Sequence, residues 1–206
     1  MPSTKTITPI IGGNYYHIFN RGSNHQLVFF QERNYFYFLN LMRKYLTECI
    51  DILAYCLLPN HFHLVIRAKE EIKIKDPIAL SDRILNEEEI GKLISDQFRK
   101  LFISYTQAIN KQENRTGSLF NSKFKRLEIT QQEYLEYVIF YVHYNPEKHA
   151  VLENFREYNF SSYNSILSNA KTNLNRQLTL DVFEGKANFE TFHDGWHTEK
   201  ENFILE

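Results

Sequence analysis

A chain of 206 residues, 43% hydrophobic and 24% charged, is long enough for one domain with a real core and too short for two substantial ones. Its 17 Phe and 13 Tyr argue against disorder, and no apolar run reaches the length of a membrane span. The net charge of −1 speaks against a uniformly basic nucleic-acid binder, but it hides an asymmetry. Between Gly91 and Thr130 eight bases stand against three acids, and between Glu147 and Glu206 six bases stand against ten acids. A basic middle and an acidic tail are compatible with a local surface for phosphate. Met1 to Gly13 lacks the pattern of a signal peptide, so a soluble, cytoplasmic protein is expected. Cys49 and Cys56 are too few for a disulfide framework and read as buried thiols.

In chain order, Asn14 to Asn20 is rich in β-formers and runs into the turn cluster Arg21-Gly22-Ser23-Asn24, which predicts a first strand. Phe36, Leu39, Met42 and Leu46 fall in a helical pattern over Glu32 to Glu48. Asp51 to Leu58 and His61 to Ala68 flank Pro59-Asn60 and predict a hairpin. Glu70 to Asn86 is charged, contains Pro77 and has weak periodicity, so an irregular connection or flexible insert is expected. A long helix is predicted over Glu87 to Gln112, with Ile90, Leu93, Ile94, Phe98, Leu101, Phe102, Tyr105 and Ile109 in one stripe. Leu119 to Ile129 predicts a further strand, and Gln131 to Asn145 a last helix closed by Pro146.

The order β-α-β-β-α-β plus one helix predicts an α+β fold of the ferredoxin-like split β-α-β type, an antiparallel sheet with helices on one face. The domain is expected over residues 1–167. Residues 168–206 are polar with scattered Phe183, Phe189, Phe192, Trp196 and Phe203, and read as a C-terminal extension of uncertain order.

His61 and His63 are two apart on a predicted strand, so both imidazoles share one face and Phe62 points to the other. Such a pair can share a metal ion, although two polar residues alternating outward on a strand give the same pattern. In the last helix Leu135, Val138, Ile139 and Val142 form the core stripe, which leaves Tyr134, Tyr137, Tyr141 and Tyr144 off it. Tyr141 and Asn145 are separated by roughly 40° around the axis and one turn along it, so a phenol and an amide oxygen are neighbours. Tyr134, Tyr137 and Tyr144 read as boundary residues with wet hydroxyls.

Together these segments resemble a known family. Leu58-Pro59-Asn60-His61-Phe62-His63-Leu64-Val65 resembles the HUH motif of single-tyrosine (IS200-like) transposases, and Tyr141-Val142-His143-Tyr144-Asn145-Pro146 the tyrosine-helix motif of their REP-associated branch. Tyr16 to Gly22, Gly117 to Lys125 and Phe160-Ser161-Ser162-Tyr163 are similar to further segments of that branch, in the same order over Tyr15 to Tyr163. A tryptophan often precedes the Ser-Ser-Tyr stretch in the family, where this chain has Asn159-Phe160.

The resemblance implies that His61 and His63, with Asn145, hold a divalent metal, Mg²⁺ or Mn²⁺, and that Tyr141 is the nucleophile. Attack would give a 5′-phosphotyrosine and a free 3′-OH, which favours strand transfer over hydrolysis. The expected partner is single-stranded or hairpin DNA, since its backbone is reachable. Arg21, Lys123, Lys125 and Arg126 are candidate phosphate contacts, with Tyr15 and Phe124 as candidate stacking partners. A monomer is expected over a homodimer. The alternatives are a replication-initiator or relaxase-type HUH nuclease, or a catalytically silent nucleic-acid-binding module on a ferredoxin-like sheet.

Overall fold

Strand β1 (Tyr15–Arg21) is buried along its whole interior, not on alternate residues, as a strand is when both faces of its sheet are covered. The computed structural model describes residues 8–75, 81–121 and 123–195. After β1 come α1 (Glu32–Leu46), β2 (Ile50–Leu58), β3 (His61–Ala68), a short hairpin β4 (Lys73–Lys75) and β5 (Asp82–Ile84), α2 (Glu87–Gln112), β6 (Lys125–Ile129) and α3 (Gln132–Lys148). Three shorter helices follow among the described residues: α4 (Tyr163–Leu167), α5 (Arg176–Val182) and α6 (Lys186–Gly195). The main sheet has the order β2-β3-β1-β6 with every neighbour antiparallel. This is the predicted split β-α-β sheet, with β4 and β5 as an insert between its third strand and second long helix.

Helix α2 occupies the predicted span because its start signals are local. Asn86 accepts from the Glu89 amide while the Glu89 carboxylate takes the Asn86 N–H, and three acids fill the first turn. On one face of the sheet Phe62 packs with Phe38 of α1, Phe102 of α2 and Phe120, at ring separations of 5.2, 5.7 and 5.9 Å. Helix α3 lies on the opposite face, over β2 and β3. The two helices of the split β-α-β unit thus share one face, as expected, and the additional helix α3 covers the other. The stripe of α3 supplies four of its ten buried residues, and Tyr137, Phe140, Tyr141 and His143 are buried as well.

Two further differences concern α3 and the chain beyond it. Pro146 lies inside the helix rather than ending it, because a proline near the last turn removes one backbone donor while Lys148 and the His149 cap complete the turn, His149 N–H donating to Asn145 O at 2.9 Å. The segment expected to be an extension of uncertain order is packed on the domain up to Gly195, α5 along the outer edge of β2 and α6 against α3. Asn175 N–H donates to Ile52 O at 2.9 Å, and the Thr179 hydroxyl to Leu53 O at 2.9 Å. Upstream, Leu57 N–H donates to Phe160 O and Ser162 N–H to Tyr55 O, so the edge of β2 is closed by chain from both segments. Phe160 stacks on Tyr35 at 3.9 Å.

The expected strand from Leu119 is shorter and begins at Lys125, with an isolated bridge between Gly22 and Phe120 ahead of it. Pro77, Ser122, Trp196, Phe203 and the rest of the chain's end lie outside the described residues. No described helix is long and apolar enough to cross a membrane.

Candidate active site

The hairpin turn that starts β3 is pinned by the loop after β1. Pro59 O accepts the N–H groups of Val28 and Phe29, at 2.7 and 3.0 Å, and Asn60 O accepts that of Gly22 at 2.8 Å. A Cβ on Gly22 would collide with the Gln26 carbonyl oxygen, so the close passage of this loop requires glycine. Strand β3 therefore begins at a fixed point, and its first and third residues, His61 and His63, project toward α3. Their rings lie 5.1 Å apart and nearly perpendicular. Both side chains are buried, and Asn60 Oδ1 sits 2.6 Å from His61 Nδ1.

Across from them, α3 presents Tyr141 and Asn145. The Tyr141 ring stands edge-on to His63 at 5.8 Å and to His17 at 6.1 Å. Asn145 is fully buried, and its amide nitrogen donates to Tyr141 O at 2.7 Å. That bond fixes the side chain with Oδ1 turned away from its own helix. Asn145 Oδ1 is buried and accepts no hydrogen bond among the described residues. Such an atom costs ~1–3 kcal/mol unless a cation or water completes it.

His63 is held well below the usual histidine range, first by burial and then by the charges of His17, His61, His149 and Lys148. A neutral imidazole is the form that ligates. Among the described residues no three His, Cys, Asp or Glu side chains converge as a metal cluster. The candidate donor set, two imidazoles and one amide oxygen, differs from such a cluster in its third member. The neutral His63 and the orphaned Asn145 oxygen fit a hard divalent cation.

Three functional neighbours escaped sequence reasoning. Lys148 donates to the Tyr141 hydroxyl at 3.2 Å, and its ammonium lies 4.6 Å from the ring centre. Seven residues after Tyr141 brings it back to within roughly 20° of the same helix face, a signal that was available. His149 places its ring 4.7 Å from that of His61. His17 Nε2 is 3.0 Å from His63 Nδ1, a contact set by strand register that no single-strand pattern reveals.

The candidate DNA contacts divide. Arg21, Lys123 and Lys125 line a cleft of about 390 Å³ together with His61 and His63. Lys125 lies 5.4 Å over the Phe19 ring, and the Arg21 guanidinium is 3.5 Å from His25 Nδ1. Tyr15 shares the face of β1 that carries His17, but it stands at the strand's far end, its ring beside the Arg67 guanidinium at 6.0 Å. Phe124 and Arg126 are on the other face of the sheet. Phe124 packs on Phe98 and Phe102 at 5.0 and 5.6 Å. Arg126 donates to Thr8 O and, at 3.2 Å, to Ser95 Oγ, and burial lowers its pKa. Alternation along β6 separates these two from Lys125, so neither stands beside the histidines.

No family model and no curated protein sequence matches the chain. Among solved structures, a REP-associated tyrosine transposase bound to a REP hairpin is similar over 81% of this chain and 86% of that one, with a TM-score of 0.57 and 16% identity. At that identity the likeness is one of fold.

Proposed function

We propose that this chain is a metal-dependent DNA transposase that cleaves and rejoins single-stranded or hairpin DNA through Tyr141. The observation that carries the reading is the Tyr141 ring edge-on to His63, with Asn145 bonded to the Tyr141 carbonyl on the same helix, while His61 and His63 line a cleft with Arg21, Lys123 and Lys125. The fold likeness to a transposase bound to a REP hairpin supports a hairpin as the substrate.

His61, His63 and Asn145 would hold Mg²⁺ or Mn²⁺, which when bound supplies Lewis acidity toward a phosphate oxygen. The protein's own groups do the rest. Arg21, Lys123 and Lys125 draw the backbone into the cleft by neutralising phosphates. Lys148 orients the Tyr141 hydroxyl and stabilises negative charge on its oxygen. The phenolic oxygen attacks phosphorus as its proton leaves to solvent, and the bond from phosphorus to the 3′-oxygen breaks. That oxygen takes a proton and departs as a free 3′-OH, leaving a 5′-phosphotyrosine. Because the new ester conserves the energy of the old one, a second 3′-OH can reverse the step on Tyr141 and join new DNA without ATP. A cytoplasmic monomer suffices for this chemistry.

The test is a covalent protein–DNA adduct on single-stranded hairpin substrates with Mn²⁺. Tyr141→Phe should abolish the adduct and leave hairpin binding within about twofold, since it deletes one oxygen and little volume. An adduct that persists in Tyr141→Phe and disappears in Tyr137→Phe would assign the wrong tyrosine. Hairpin binding with no adduct from the intact protein would favour a silent binding module.

A further inference from the structure

Any ligation of a cation by His63 goes through Nε2, because Nδ1 is engaged with a second histidine. His63 Nδ1 and His17 Nε2 are 3.0 Å apart. The two ring planes differ by 18°, with centroids 5.2 Å apart. That separation is too long for face-to-face contact. Near coplanarity with a short N–N approach is the arrangement of an N–H aimed along the partner's lone pair. Register explains it: Phe19 pairs with His63 and His17 with Val65, so the two histidines are diagonal neighbours on one face of adjacent strands. Both are 1% exposed. Phe19 packs against the two rings at 4.7 and 5.7 Å, which limits their rotation.

Two proton arrangements satisfy this bond between neutral rings. In one, His63 Nδ1–H donates to His17 Nε2, and His63 Nε2 keeps a lone pair. In the other, His17 Nε2–H donates to His63 Nδ1, and the proton on His63 Nε2 blocks ligation. We propose that His17 is a positioning residue that holds His63 in the first arrangement before any cation arrives, so that its Nε2 lone pair is preformed. The inference rests on the proposed role of His63 as a metal ligand. It extends that role to a residue that touches neither substrate nor ion. An isolated imidazole favours the proton on Nε2, so the arrangement required here is one that the protein must impose. Partners of this kind behind a ligating histidine are worth about 10–100-fold in metal affinity.

Nitrogen-15 NMR of the imidazoles in the metal-free protein tests this directly, together with calorimetric Mn²⁺ titration of the same samples. The intact protein should show His63 protonated on Nδ1. His17→Phe, which keeps a ring but lacks an acceptor, should move the proton to Nε2 and weaken Mn²⁺ binding about 10–100-fold. His17→Gln, whose amide oxygen can accept, should restore the Nδ1–H form and most of the affinity. His63 protonated on Nε2 in the intact protein overturns the proposal, as does an unchanged tautomer and affinity in His17→Phe. If the intact protein binds no Mn²⁺, the metal assignment itself fails, and the tautomer still decides what His17 does.

Discussion

Asn145 has one polar atom bonded within α3 and one left for the proposed cation, so the two roles can be separated. Its amide nitrogen is committed to Tyr141 O at 2.7 Å, so its oxygen has one orientation and one task. Asn145→Ala should lower Mn²⁺ affinity and slow adduct formation, yet less completely than Tyr141→Phe, because water can replace an amide oxygen on a hard cation. Manganese titration beside single-turnover cleavage reads both effects, and unaltered affinity would exclude Asn145 as a ligand. Lys148 is exposed apart from its contact with Tyr141, so its removal should cost little stability. A hydrogen bond to a charged oxygen is worth ~1.5–3 kcal/mol, and each 1.4 kcal/mol is a factor of about ten. Lys148→Met should therefore slow adduct formation about tenfold or more at unchanged melting temperature. An unchanged rate would reduce Lys148 to a bystander.

Helix α3, which carries the proposed nucleophile, is gripped from behind. His193 Nδ1 lies 2.7 Å from Phe189 O, and a carbonyl only accepts, so Nδ1 bears the proton and Nε2 the lone pair. His143 Nδ1, 2.9 Å from that lone pair, must then donate. Its Nε2 in turn accepts from the Ser162 hydroxyl at 2.7 Å, while Ser162 Oγ accepts Tyr55 N–H at 2.8 Å. This one-directional chain ties α6 to α3 and α3 to β2, on the side of α3 away from Tyr141. His193→Leu strands the His143 donor and should destabilise the protein by ~1–3 kcal/mol. Burial pushes His193 down to about 3 and His143 well below its usual range. Folded values below the unfolded value mean that this stability is complete above about pH 6.5 and is lost as pH falls toward those folded values. His193→Gln should flatten the acid limb of a melting-temperature profile, and an identical acid limb would remove the chain from the account. Sequence made the bounds of α2 and the β2-β3 hairpin legible because caps, turn and period are all local. The strand period also brings the rings of His61 and His63 to 5.1 Å, and the helix period sets Asn145 one turn after Tyr141. Sequence could not show that Tyr141, off the core stripe of α3, is buried, since its cover comes from His17 and His63 on strands far earlier in the chain. His143 was invisible for the same reason, its partner lying 50 residues on.

Over the whole molecule, charge matters less by count than by the face on which each base stands. Of the eight bases between Gly91 and Thr130, only Lys123 and Lys125 line the histidine cleft, where Arg21 joins them from β1. Arg99 is paired with Asp96 at 2.7 Å, Lys92 with Glu88, and Arg126 is spent on Thr8 and Ser95 across the sheet. A basic stretch in sequence thus becomes a narrow basic cleft, while strand alternation turns Arg126 to the other face and the remaining bases stand on or just after α2. Affinity for single-stranded DNA falls with salt by a slope of about 0.7 per phosphate neutralised. Arg21→Gln and Lys125→Gln should each weaken hairpin binding at low salt and reduce that slope by about 0.7, with little change in melting temperature. Arg126→Gln should do the reverse, losing melting temperature through the abandoned Thr8 carbonyl and Ser95 hydroxyl while keeping the slope. Binding measured over a salt series for the three variants settles which face meets DNA. A reduced slope in Arg126→Gln with none in Lys125→Gln would move the nucleic-acid surface to the α2 side of the sheet, away from Tyr141.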